Sequence, residues 1–322
     1  MAVPRRESSV SGPYRPERAD VDPLNSLFSD SFTDRYRRDG LVGVRVPKLN
    51  PEIWRYALQD AGPGAMIWRD EDGKIVAFNV AHHSGKEGWM GPLAVRPNRQ
   101  GSGLGAAIVQ EASRWLRESG SATIGLETMP RTVDNIGFYS HMGFIPRHLT
   151  VTLVGDAQSS SLGKATLLSK LGHADREALL EAARDRLQQS VAGYDYTREF
   201  EITCELGVGD GVVLESGRVR GFALWHTTAL VEGRLPEELR LLKLFADSKE
   251  TFAELIAVLE AAAADFGLGR VAVRCQTACT SAYATLVSCG YRVRWTDLRM
   301  TLDGYPEPPV EEGEVLFSNW EI

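Results

Sequence analysis

Residues 96–105 read RPNRQGSGLG, with glycine at 101, 103 and 105, and a helical pattern begins at once behind them. The N–H groups of a helix's first turn have no acceptor inside the helix, and the helix dipole places partial positive charge there. Glycines let an anion reach those N–H groups unobstructed by Cβ atoms, so the chemistry open to this stretch is to cradle a phosphate or diphosphate. A P-loop is excluded, because the Lys-Ser or Lys-Thr that must follow the last glycine is replaced by Ala106-Ala107. A dinucleotide fold fits better, since Gly101, Gly103 and Ala106 match GxGxxA and Glu127 follows about 20 residues on. That fold needs its first glycine hard against a strand, however, and RPNRQ intervenes, with no further βαβ unit after Glu127. The plain alternative is a glycine-rich strand-to-helix connection with no ligand.

The elements that must hold this loop follow from hydrophobic spacing. EIWRYALQD after Pro51 reads as a helix, GAMIWRD and KIVAFNVAHH as a hairpin, and GWMGPLAV as a third strand. Leu104, Ile108, Ala112, Trp115 and Leu116 recur at helical spacing, so a helix buried on one side runs from the glycines to Gly120. SATIGLETM is a strand, VDNIGFYSHMGF a short helix closed by Gly143, and HLTVTLV a final strand. The second half repeats this order: a helix from His173, a hairpin around Gly217, the strand ELRLLKLF, the helix TFAELIAVLEAAAADFG, then RVAVRCQT, SAYATLVSCGY and WTDLRMTL. Gly120 and Gly143 are 23 residues apart, as are Gly267 and Gly290, and a shift of 147 superposes Ile124 on Val271 and Phe144 on Tyr291. A duplicated unit accounts for this.

A chain of 322 residues, 43% of them hydrophobic, can supply a core to each copy. The net charge of -7 argues against a general nucleic-acid binder and favours cationic partners. Cys204, Cys275, Cys279 and Cys289 lack CxxC spacing and a matching histidine pair, so they read as reduced structural thiols rather than zinc ligands or disulfides. No apolar run approaches the roughly 18 to 20 residues of a membrane span, and the first residues lack a signal-peptide core, so a cytoplasmic protein is expected. Residues 1–22 have the composition of a flexible arm, 156–164 that of a linker, and the tail 305–322 carries Leu316, Phe317 and Trp320, enough apolar weight to dock on a sheet edge.

Val95-Arg96-Pro97 followed by Gln100-Gly101-Ser102-Gly103-Leu104-Gly105 resembles the Q/R-x-x-G-x-G/A motif of the GNAT acyl-CoA N-acyltransferase superfamily, and NIGFYSHMGF resembles its second signature. The resemblance is close over about residues 50 to 154 and holds in outline over the second half. It implies an α/β protein of the α+β type, with two GNAT-like domains, 23–155 and 165–304, each a mixed, mostly antiparallel sheet flanked by helices. The implied activity is transfer of the acetyl group of acetyl-CoA to a primary amine by direct attack in a ternary complex, with no metal. The first domain has no cysteine, which removes the simplest thiol ping-pong route. A non-catalytic acyl-CoA sensor or scaffold is the alternative, ahead of a NAD-dependent oxidoreductase. The expected partners are a small-molecule or peptide amine and, at most, a second copy of the chain, with neither nucleic acid nor membrane.

By the same resemblance, backbone N–H groups of Gln100, Gly101, Ser102, Gly103, Leu104, Gly105 and Ala106 would hold the coenzyme A diphosphate. The strand ending at Val95 would splay from the strand at 124–127, and backbone groups of Leu93 and Val95 would bind pantetheine in the gap. Tyr139 occupies the place of the phenol that protonates the departing thiolate. Glu87 and Glu127 are the candidate bases, Glu127 on condition that burial raises its pKa; His82, His83 and His141 read as surface or edge residues. The family's cofactor-contacting asparagine would fall at Thr132, a departure from the pattern; Asn135, one turn before Tyr139, is the candidate for that contact. The same shift lays Gln100, Gly101, Gly103 and Gly105 on Asp247, Ser248, Glu250 and Phe252, and Tyr139 on Leu286, so the second copy is expected to be silent.

Overall fold

In the computed structural model, which describes residues 9–159 and 165–321, one series of elements occurs twice. The first series is α1 (Val21–Arg38), α2 (Pro51–Ala61), β2 (Ala65–Asp70), β3 (Ile75–Ser84), β4 (Glu87–Val95), α3 (Leu104–Glu118), β5 (Thr123–Thr128), α4 (Val133–His141) and β6 (Phe144–Asp156), preceded by β1 (Val10–Tyr14). The second is α5 (His173–Ser190), α6 (Thr197–Leu206), β7 (Gly209–Glu215), β8 (Val219–His226), β9 (Glu238–Ala246), α7 (Lys249–Asp265), β10 (Arg270–Gln276), α8 (Thr280–Ser288) and β11 (Arg292–Leu302), followed by β12 (Val315–Ser318).

Local chemistry explains the elements that frame the site. Asn50 caps α2 by accepting the Glu52 N–H, and Pro51 needs no intrahelical donor at the first position. Helix α3 buries Ile108, Val109, Ala112 and Leu116 completely, each larger side chain contributing roughly 1.5–3 kcal/mol. Strand β3 is buried along both faces because α1 and α2 cover one and α3 the other. Only β4–β5 and β9–β10 pair in parallel; the other named strand pairs are antiparallel.

The two copies do not keep separate sheets. One 12-stranded sheet runs β1-β2-β3-β4-β5-β11-β6-β10-β9-β8-β7, with β12 on β9. Each copy's last strand therefore pairs with the fourth strand of the other copy's series: β11 with β5, and β6 with β10. The two exchanged strands pair antiparallel with each other, so the copies are related by a pseudo-two-fold axis of the kind that joins self-complementary surfaces.

Three boundaries differ from expectation. Residues 1–8 lie outside the described residues, but Val10–Tyr14, assigned above to a flexible arm, add an edge strand to β2. Helix α1, unassigned from sequence, buries Leu24, Leu27, Phe28 and Ser31 beneath a polar majority. The tail docks on a strand edge within the sheet and not on an outermost strand: β10 pairs with β9 from Glu238 to Leu241, and β12 takes the rest of that edge from Lys243 to Ala246. Of the expected linker, residues 160–164 lie outside the described residues. Among the described residues all four cysteines are unpaired, no helix is long and apolar enough to cross a membrane, and no His/Cys/Asp/Glu group could hold a metal ion.

Candidate functional site

Strands β4 and β5 pair from Glu87–Thr123 to Met90–Leu126 and then separate. Beyond Met90, β4 stays on β3. The Arg96 N–H bonds the Val76 carbonyl, which makes Ala77–Val95 and Asn79–Leu93 pairs that do not exchange backbone hydrogen bonds. The N–H and C=O groups of Leu93 and Val95 therefore point to the edge that β5 has left. The Val95 carbonyl already accepts the Gln100 side-chain amide at 2.9 Å, which closes the loop onto the strand end.

A cleft of about 290 Å³ fills this gap, lined by Leu93, Val95, Gln100, Glu127, Asn135 and Tyr139 together with Ser31, Phe32 and Arg35 of α1. At its outer end lies the exposed loop. Gly101 and Gly103 have φ of +78° and +83°, and Gly103 directly precedes the first turn of α3, so only glycine holds this loop without strain. Cβ atoms at either would meet nothing within 4 Å, which leaves the approach open. Burial pushes the Tyr139 phenol up to about 12, so it stays protonated at neutral pH. Thr132, by contrast, is fully buried and donates to Asp39, which removes it from any ligand.

A second cavity of about 540 Å³ opens beside the first, between the two copies. Aromatic rings from α1 (Phe28, Phe32, Tyr36), β4 (Trp89), β11 (Trp295) and the tail (Trp320) line it. Trp89 lies flat over β5 because Gly125 has no side chain; a Cβ there would meet its ring at 2.5 Å. Trp320 packs 5.6 Å from Trp89 and 5.8 Å from His82, and Lys243 sits 3.6 Å beneath it.

The two expected bases are not set up as the sequence suggested. Glu87 is buried, accepts from Trp89, Tyr196 and Ser318, and lines neither cavity. Glu127 does line both, but it accepts from Arg274, Arg299 and Thr150. Burial alone would raise its pKa; the charges of Arg274 and Arg299 outweigh burial and leave it below the ordinary value. The elevated pKa wanted of Glu127 is thus absent, because its neutralising partners come from the other copy. His82 is no edge residue: it is buried, lines the larger cavity, and its Nδ1 lies 2.5 Å from Asp60.

Residues 24–144 match the sequence profile of the acetyltransferase (GNAT) family. Over that stretch the chain is similar to the GNAT family. No curated protein sequence matches it. Solved structures share the fold over nearly the whole chain. A Pyrococcus horikoshii protein superposes with TM-score 0.68 at 14% identity, covering 99% of this chain and 96% of its own. A tandem GNAT protein from the clavulanic acid biosynthesis pathway gives 0.57 at 14%, over 94% and 100%. Saccharomyces cerevisiae N-myristoyltransferase with bound myristoyl-CoA gives 0.63 at 13%, over 96% and 86%.

The second copy lacks this site in two ways. Its counterpart of residues 96–103 is only Asp247-Ser248, and the Ser248 hydroxyl accepts the Thr251 N–H at the start of α7. The loop is therefore deleted, which goes further than the substitutions inferred from a constant shift. Strand pairing aligns Glu87 with Glu238, so Leu93 and Val95 correspond to Leu244 and Ala246. Those two positions pair with Phe317 and Val315 of β12. The chain's own tail fills, in the second copy, the gap left open in the first.

Missed from sequence are the cavity-lining side chains Arg35, Trp89, Arg274, Trp295, Asp297 and Trp320, and Arg299, which holds Glu127. Only α1 left a usable signal, Leu24, Leu27, Phe28 and Phe32 at helical spacing. The others reach the site through strand exchange, the tail or a gap over glycine.

Proposed function

We propose that the first copy transfers the acetyl group of acetyl-CoA to a primary amine, by direct attack in a ternary complex. The observation that carries this reading is the gap between β4 and β5, open in the first copy and ending at an uncapped, glycine-held helix start. Diphosphate would take the N–H groups of Gln100 through Ala106, and pantetheine amides would take the outward groups of Leu93 and Val95. That bonding holds the thioester at the inner end of the cleft, where a donor aimed at the forming oxyanion is worth on the order of 3 kcal/mol. Tyr139, protonated at neutral pH, then gives its proton to the thiolate, and Asn135 one turn away contacts the cofactor. The second copy binds no acyl-CoA and serves as a wall of the acceptor cavity.

The test is thiol release from acetyl-CoA across a library of primary amines, with thermal shifts by acetyl-CoA and NAD measured in parallel. Amine-dependent release and stabilisation by acetyl-CoA alone are expected. Stabilisation by acetyl-CoA with no release on any amine would instead make the protein a non-catalytic acyl-CoA binder, and stabilisation by NAD would revive the oxidoreductase reading.

A further inference from the structure

Six residues line both cavities: Phe32, Met90, Gly91, Pro92, Glu127 and Asp297. A thioester entering along one cavity and a nucleophile entering along the other must meet among them. Only the two carboxylates there can take a proton, and Glu127 is already held by two guanidinium groups and a hydroxyl. Asp297 is held more lightly, by Arg274 at 3.2 Å and the Trp295 indole N–H at 3.1 Å, and its side chain keeps 16% exposure.

We propose that Asp297, delivered by the last strand of the second copy, is the base that deprotonates the acceptor, and that the acceptor is a primary amine on an aromatic-sized apolar body. The proposal rests on the acyl-transfer reading above. Its carboxylate takes one proton from the ammonium. The freed lone pair forms the C–N bond, the C–S bond breaks as the tetrahedral intermediate collapses, and Tyr139 protonates the sulfur. The second nitrogen proton leaves to solvent, which reprotonates Tyr139, and Asp297 returns its own proton to bulk.

Charge and size agree with this assignment. Burial raises the Asp297 pKa, Arg274 offsets part of the rise and Glu127 adds to it, leaving it at about 6, suited to a base working near neutrality. The charged or titratable groups around it are Glu127 on β5, Arg274 on β10, Arg294 on its own strand, Tyr36 on α1, and Arg131, whose guanidinium lies 5.6 Å from both the Tyr36 and Trp295 rings. Arg240, Arg274 and Arg294 in the larger cavity are ion-paired to Glu321, Glu127 and Glu238, so none is left to select an anionic acceptor. The aromatic walls take a flat apolar body.

The experiment compares 2-phenylethylamine, an ammonium at pH 7, with phenylhydrazine, neutral at pH 7, in thiol release from acetyl-CoA. Asp297→Asn should lower kcat/KM for 2-phenylethylamine about 100-fold and abolish the limb of its pH profile near 6. It should cost phenylhydrazine far less and leave acetyl-CoA affinity unchanged, and Asp297→Glu should restore the limb. Equal losses on both nucleophiles, a limb that survives in Asp297→Asn, or a limb that vanishes in His82→Gln instead would overturn the proposal. Wild-type protein that binds acetyl-CoA but releases no thiol with any amine would overturn the acyl-transfer reading itself.

Discussion

Thr150 on β6 and Asp297 on β11 are directly paired across the seam of the sheet, and they are the same position of the two copies, 147 residues apart. The pseudo-two-fold axis passes between them. The neighbouring strands obey it in register: Glu127 faces Arg299 on one side, and their counterparts Arg274 and Thr152 face each other on the other. Duplication thus places two versions of one strand side by side, where each is free to specialise. One carries a threonine at the axis and the other a carboxylate.

Tyr139→Phe removes the phenolic proton while keeping the ring that packs against Phe138 and Phe144. Acetylation should fall about 100-fold with acetyl-CoA affinity nearly unchanged, as measured by steady-state turnover and titration calorimetry. A parallel loss of binding and turnover would make Tyr139 a packing residue.

Gly103→Ala places a Cβ on a residue at φ +83°, where the left-handed conformation costs an L side chain roughly 1–2 kcal/mol. The loop should shift to relieve that strain. Acetyl-CoA affinity should weaken about tenfold, equivalent to about 1.4 kcal/mol, while turnover at saturating cofactor changes little.

Phe317→Ala empties a fully buried position against Phe252 and should cost about 3–5 kcal/mol in denaturant unfolding. It should not create a second cofactor site, because the loop between β9 and α7 is too short to bind a diphosphate. Calorimetry should still count one acetyl-CoA per chain. A second equivalent bound would show that the tail alone keeps the second copy silent.

Glu127→Gln leaves Arg274 and Arg299 without their shared carboxylate and should destabilise the fold by about 3 kcal/mol at pH 7. The folded pKa of Glu127 lies below its unfolded value of about 4.3. Its stabilisation is therefore present above that value and lost as pH falls through the folded pKa. Melting curves of wild type and Glu127→Gln should differ most at neutral pH and converge in acid.

The sequence by itself determined the duplicated order of elements, the glycine loop at the start of α3 and the cleft side chains Asn135 and Tyr139. These are local: periodic burial, helix-start chemistry and turn glycines act over a few residues, so their signatures sit in contiguous stretches. Helix α1 was as local, but its four apolar residues were diluted by polar neighbours. Only the tertiary structure decided where β6, β11 and β12 go, because backbone pairing in a sheet is nearly indifferent to which copy supplies the strand. That choice sets the charge of Glu127, brings Asp297 to the meeting point of the two cavities, and fills the second copy's gap with the chain's own end. Nothing in the spacing of WTDLRMTL or EVLFSNWEI announces these partners, since each lies more than a hundred residues from the groups it meets in the first copy.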